Sequence, residues 1–185
     1  MARIGVFFAE GYEEIEALTV VDLCRRAGIE VCMVSVDGSE TATGSHGIGV
    51  KMDAALAQVD FDTLDMIVLP GGMPGTKNLE KDDRLMAQLD SFYDNGKWIA
   101  AICAAPSIFA HRGYLKGRKA TCYPSFEKEL AEAGVALAGT SAAEDGKVIT
   151  GQAMGGAIDF GLKIVEKLIS PEAADKLAES IVYER

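Results

Sequence analysis

Basic charge is scarce in this 185-residue chain: 18 lysines and arginines stand against 28 aspartates and glutamates, a formal net charge of -10. A surface of that sign repels polyanions and argues against a nucleic-acid partner, and no cluster resembles the basic face that phosphate binding needs. Long apolar runs are also missing. No stretch approaches the roughly 20 residues of a membrane-spanning helix. The N-terminal run Ile4-Gly5-Val6-Phe7-Phe8-Ala9 is shorter than a secretory signal core with its cleavage site, so the chain is expected to be cytoplasmic and without a membrane partner. Two histidines, His46 and His111, are too few for a metal cluster and are expected to be structural or exposed. Cys24, Cys32, Cys103 and Cys122 lie far apart with no CxxC spacing, which excludes a zinc ribbon or dithiol redox centre and leaves individual thiols. Repeats, linkers and low-complexity tracts are absent.

What remains is ordinary globular composition, 49% hydrophobic and 25% charged, in a length that suits one domain over residues 1–185. Apolar runs at residues 3–9, 30–36, 66–69 and 98–102 read as buried strands, with a later one at 147–150. Helical periodicity covers residues 13–27, closed by Gly28, and residues 82–95, closed by Gly96. A short helix is expected from Cys103 to about His111, another over 125–133, and two more over 157–169 and 171–181, the last with Pro171 at its first position. Strands and helices that alternate in this way predict an α/β, doubly wound, mainly parallel sheet between helices. Residues 38–56, with four glycines, are expected to form a small antiparallel insertion.

In such a sheet, ligand sites gather beyond the carboxyl ends of the strands. Three segments therefore qualify: residues 10–16, 70–75 and 103–106. Cys103 stands directly after a buried strand and before a helix, the placement that lifts a nucleophile above a sheet. Ala101, Ala104 and Ala105 permit a tight turn, and Pro106 suits a first helical turn. The helix N-terminus is expected to favour thiolate and to make Cys103 acidic for a cysteine. At 100° per residue, Glu16 falls among Val20, Leu23, Cys24 and Ala27, so a carboxylate sits on the apolar face of the first helix while Glu14, Asp22, Arg25 and Arg26 lie on other sides. Burial there should keep Glu16 protonated, able to donate a hydrogen bond to Cys103. The glycines of Pro70-Gly71-Gly72-Met73-Pro74-Gly75 let backbone amides approach a reacting oxygen, and the loop does not match GxxxxGK[ST].

The ordered motifs Gly11-Tyr12-Glu13-Glu14-Ile15-Glu16, Leu69-Pro70-Gly71-Gly72 and Ala100-Ala101-Ile102-Cys103-Ala104-Ala105-Pro106 resemble the ThiJ/PfpI superfamily over essentially the whole length. The branch most resembled is that of the Parkinsonism-associated protein deglycase. The resemblance implies a flavodoxin-like homodimer in which Cys103 is nucleophile and redox centre, Glu16 its protonated partner, and Gly72 with Ala104 backbone donors. It also implies cofactor-free and metal-free chemistry on a small α-oxoaldehyde or a glycated side chain. Two departures limit the transfer: Ala104 stands where the peptidase-like and dedicated glyoxalase branches carry a histidine, and Tyr123 where the deglycase branch often has one. Two functions stay open at this point, a glyoxalase or deglycase and a redox-sensing or chaperone-like stress protein oxidised at Cys103, because thiolate activation serves both. A flavin- or nucleotide-binding module lacks any phosphate-binding glycine signature.

Overall fold

The structure, a computed structural model, describes residues 1–184. β1 (Arg3–Phe8) leads into α1 (Glu14–Arg26), β2 (Glu30–Ser35), a hairpin of β3 (Thr41–Thr43) and β4 (Gly49–Lys51), and the short β5 (Ala54–Ala55). β6 (Met66–Leu69), α2 (Gly75–Glu80), α3 (Asp83–Asp94), β7 (Trp98–Ile102) and α4 (Pro106–His111) follow. The last third holds β8 (Lys119–Ala120), α5 (Glu127–Glu132), β9 (Ala136–Leu137), β10 (Ala142–Asp145), β11 (Val148–Gly151), α6 (Ala157–Leu168) and α7 (Pro171–Ser180).

Seven strands form one sheet in the order β10-β11-β7-β6-β1-β2-β5, parallel except for β10 at one edge. The chain leaves β1 toward β2 on one side and later returns to lay β6 on the other. That reversal opens a crevice at the carboxyl ends of β1 and β6, the place where open α/β sheets bind ligands. The apolar strands are covered on both faces, as a parallel sheet requires. On one face Ile4, Val6 and Phe8 of β1 pack with Val20 and Leu23 of α1, Phe160 of α6 and Leu177 of α7. On the other, Phe7, Ile67 and Ile99 pack with Leu85 and Leu89 of α3 and with Phe109 of α4. Two helices begin on side-chain caps, since Asp82 accepts from the amides of Arg84 and Leu85 and Ser170 from that of Ala173.

The insertion over residues 38–56 is the antiparallel β3–β4 hairpin, continued by β5, which adds in parallel to β2. The elements that differ from the sequence reading are short. α2 follows a loop of proline and glycine read as a turn, and its residues are held by the packing of Leu79. β10 pairs antiparallel with β11 through the two-residue turn Gly146-Lys147, where Gly146 takes a φ of 63°. The helix expected over 125–133 is a 3₁₀ turn, Pro124–Phe126, followed by α5. His111 does more than complement a helix end: its two ring nitrogens lie 2.5 Å from Glu80 and 2.7 Å from Glu129, joining α2, α4 and α5.

Phe160 is fully buried between α6 and the sheet. Phe160→Ala should therefore cost about 3–5 kcal/mol of stability, seen as a lower urea midpoint at unchanged m-value. A loss below about 1 kcal/mol would contradict its place in this core.

Candidate active site

The three loops singled out from the sequence meet at one point. Glu13 and Glu16 from the start of α1, Gly72 and Met73 after β6, and Cys103 and Ala104 after β7 line a cavity of about 370 Å³. Register explains the meeting: Leu69 pairs with Ala101 and Ile102 with Gly151, so neighbouring strands end level and their loops rise side by side. A larger groove of about 720 Å³ runs along α1, lined by Ile15, Leu18, Ile48, Ile158 and Ile181, and it contains neither the thiol nor Glu16. The smaller cavity holds the chemistry.

Cys103 adopts a φ of 67°, the left-handed region, which costs a non-glycine residue roughly 1–2 kcal/mol. The turn is held from both sides. The Cys103 amide donates to the Gly151 carbonyl at 3.0 Å, and its carbonyl accepts from the Tyr123 amide at 2.8 Å. α4 starts only at Pro106, so Cys103 to Ala105 form the turn between strand and helix. The amides of Gly72 and Ala104 both hydrogen-bond to the sulfur.

Glu16 is fully buried and accepts from the Gly71 amide at 3.0 Å. Gly71 admits no side chain: a Cβ there would stand 2.5 Å from the Glu16 carboxylate oxygen and 2.6 Å from Cys103 Cβ. Gly72 has a φ of 92°, which turns the loop back toward the sulfur. Burial pushes the Glu16 carboxyl up to about 7, against hydrogen bonds from the Cys103 side chain and the Gly71 amide, and the nearby Glu13 charge adds to the rise.

Cys103 departs from expectation. Its thiol is pushed up, first by burial and then by the charge and hydrogen bond of Glu16, while the Ala104 and Gly72 amides pull the other way. A helix end of one and a half turns does not offset the loss of water and a carboxylate at contact distance. Two charges cannot coexist in so dry a space, so the two groups titrate as one unit. The unit gives up one proton near 7 and keeps the second far into the alkaline range.

Sequence reading missed part of the lining: Tyr123, Ser125 and Phe126 on one wall, Ala153 and Met154 after β11, and His46 from the hairpin. The Met154 amide is also a donor to Glu16. The helical wheel puts Glu14 on a face away from the sheet, yet it is buried, because residues 44–48 fold over it. The amides of His46 and Ile48 donate to Glu14 Oε1, and His46 Nδ1 lies 2.9 Å from Oε2. Burial alone would raise Glu14, but these hydrogen bonds outweigh it and bring it down to about 2.

Comparison with known proteins places this arrangement. The model of the DJ-1/PfpI family matches residues 2–167. The chain belongs to the DJ-1/PfpI family. Protein dj-1beta of Drosophila melanogaster is 35% identical over 177 residues, covering 96% of this chain and 95% of that protein. The glutathione-independent glyoxalase DJR-1.2 of Caenorhabditis elegans is 31% identical over 172 residues, covering 93% and 91%. The solved structure of oxidised DJ-1 from Toxoplasma gondii superposes with a TM-score of 0.94 at 35% identity and full coverage of both chains. The family fold is flavodoxin-like, as the sequence led one to expect. No helix among the described residues is long and apolar enough to cross a membrane.

The buried acid gives stability a definite pH dependence. Unfolded, Glu16 loses its proton near 4.5, and folded it holds it to about 7. The folded state binds the extra proton in that window, so the stability contributed by Glu16 falls as pH rises from about 4.5 to about 7, by about 3 kcal/mol in all, and this contribution is level above it. Glu16→Gln lacks this slope. Urea unfolding of both proteins at pH ~5 and ~7.5 should show the variant gaining on the wild type across the interval, and a constant difference would refute the buried acid.

Proposed function

We propose that this chain is a cysteine-dependent, cofactor-independent enzyme of glyoxalase or deglycase type, acting on methylglyoxal or its early protein adducts, with a protective role in oxidative stress. One observation carries the reading: a thiol and a buried carboxyl are in hydrogen-bond contact inside a cavity of about 370 Å³, with two backbone amides on the sulfur. The cavity has room for a three-carbon substrate, and the glyoxalase relative from Caenorhabditis elegans supports the chemistry.

The reactive form of the pair is the one with the remaining proton on Glu16 and the charge on sulfur, where the Gly72 and Ala104 amides offset it. Sulfur attacks the aldehyde carbon, a C–S bond forms, and the carbonyl electron pair moves to oxygen, which takes the Glu16 proton. The Glu16 carboxylate then removes the hydrogen from that carbon to give an enediolate, and returning this proton to the neighbouring carbon, while the hydroxyl proton passes from the first oxygen to the second, leaves a hydroxyacyl thioester. Water cleaves the thioester to a hydroxy acid and free Cys103. Ala104 in place of a histidine argues against a Cys-His hydrolytic pair.

A second reading is a redox sensor in which peroxide oxidises Cys103 to a sulfinate that accepts a hydrogen bond from Glu16. The oxidised Toxoplasma gondii structure supports it. A methylglyoxal assay with intact mass after mild peroxide separates the two. Wild type should turn over and Cys103→Ser should not, while Glu16→Gln should retain alkylation at Cys103 and lose roughly 10²–10⁴-fold in rate. A wild type that never turns over but gains two oxygens at Cys103 would leave the sensor.

The homodimer is a further part of this proposal, with the groove along α1 as its seat. Ile15 and Ile48 on that groove are 46% and 55% exposed, large apolar side chains that association would cover. Light scattering should find a dimer, and Ile48→Asp should shift it toward monomer. A monomeric wild type at micromolar concentration would refute the assignment.

A further inference from the structure

The Cys103 cavity has a dry floor and a wet rim, and an imidazole stands at the rim. Glu16 is 1% exposed, whereas His46, which lines the same cavity, is exposed to solvent. His46 comes from the β3–β4 hairpin, whose loop is fastened to the start of α1: Ser45 N donates to the Tyr12 carbonyl at 2.8 Å and His46 N to Glu14 Oε1 at 2.8 Å. The ring is fastened too. Its Nδ1 faces Glu14 Oε2 at 2.9 Å, with Ser45 Oγ at 3.1 Å.

A buried carboxylate against Nδ1 fixes which nitrogen carries the proton in the neutral ring. Glu14 stays ionised because the His46 ring and the loop amides hydrogen-bond to it, so Nδ1–H donates to it and the lone pair is left on Nε2. No partner occupies Nε2 among the described residues. His111, the other histidine, is held between two carboxylates, Glu80 and Glu129, and is not part of this cavity.

We propose that His46 is the general base that activates the water cleaving the Cys103 thioester, with Glu14 as its positioning residue. The inference rests on the glyoxalase reading above. Glu16 suits the earlier proton transfers, which occur on carbons held against the sulfur, but water arrives from the open side. Oxygen of that water attacks the thioester carbon, its proton passes to His46 Nε2, the C–S bond breaks, and its electron pair returns to Cys103 sulfur as thiolate. The hydroxy acid loses its own proton to solvent, and His46 gives up the one it took.

The groups facing His46 are Glu13 and Glu14 from α1 and Ser45 from its own loop, with Glu16, Cys103 and Tyr123 across the cavity. Hydrogen bonding to Glu14 and the charges of Glu13 and Glu14 raise the imidazole. The neutral, basic form therefore grows in as pH rises, and thioester cleavage should rise with it. Glu14→Gln removes a hydrogen-bonded charge, so this rise should move to lower pH.

Three measurements on the full chain with methylglyoxal test the proposal. In His46→Ala, iodoacetamide should label Cys103 at the wild-type rate, and turnover should fall by roughly 10²-fold or more. Intact mass should show Cys103 carrying one methylglyoxal unit that persists, and free imidazole in solution should restore at least about tenfold of the lost rate. His46→Ala with wild-type turnover and pH profile would overturn the role of His46 alone. So would a loss of rate with no accumulated adduct and no imidazole rescue, since that is what a merely structural residue gives. A wild type that neither turns over nor forms the adduct overturns the glyoxalase reading itself, and this inference with it.

Discussion

Burial of the Glu16 carboxyl under the carboxyl edge of the sheet is the constraint from which the site is built. An acid in that position needs donors, and it takes them from the loops that must converge for a pocket to exist: the Gly71 amide after β6, the Met154 amide after β11 and the side chain of Cys103 after β7. The exchange runs both ways, since the Gly71 carbonyl accepts from the Glu13 amide at 3.0 Å and so fixes the first turn of α1. Three strand ends and one helix start are thereby tied to a single side chain. The glycine at position 71 follows from the same closeness, because the backbone must pass between a carboxylate and a cysteine.

The site is a set of loops held on a packed frame. β1, β6, β7 and β11 are apolar along nearly all their length and have helices on both faces, so the heights of their ends are set by core packing rather than by the loops. That division lets the loops carry polar and strained residues without loss of the fold. It also bears on the two proposed readings, catalysis and sensing, which would share one site. Both need sulfur charged and the carboxyl protonated, and both draw on the same proton.

How much of this was legible in sequence depends on how far apart the deciding residues lie. Cys103 could be found from the apolar run before it and the small residues around it, a reading within one turn of chain. Glu16 could be found from the helical wheel, since its burial is a property of α1 itself. Glu14 could not, because what buries it is a loop some thirty residues on, and the wheel reports only the face a helix offers to the sheet. His46 was invisible for the same reason. The acidity expected of Cys103 failed on distance as well: the helix end is next to it in sequence, but the carboxylate and the dry surroundings that oppose it come from elsewhere in the fold. β10 is signalled only by the glycine of its turn, Gly146, because its own residues, Ala142–Asp145, carry little strand preference.

The left-handed turn at Cys103 says something about how this position can change. Glycine adopts a φ of 67° without cost and would fit the same turn, so mutation and drift under selection for folding alone would run toward Cys103→Gly. β-branched residues are barred from it more firmly still. The position is thus open to few residues, and the one that occupies it is not the one the backbone prefers. In a lineage that no longer used the thiol, this turn is where the loss would be written first.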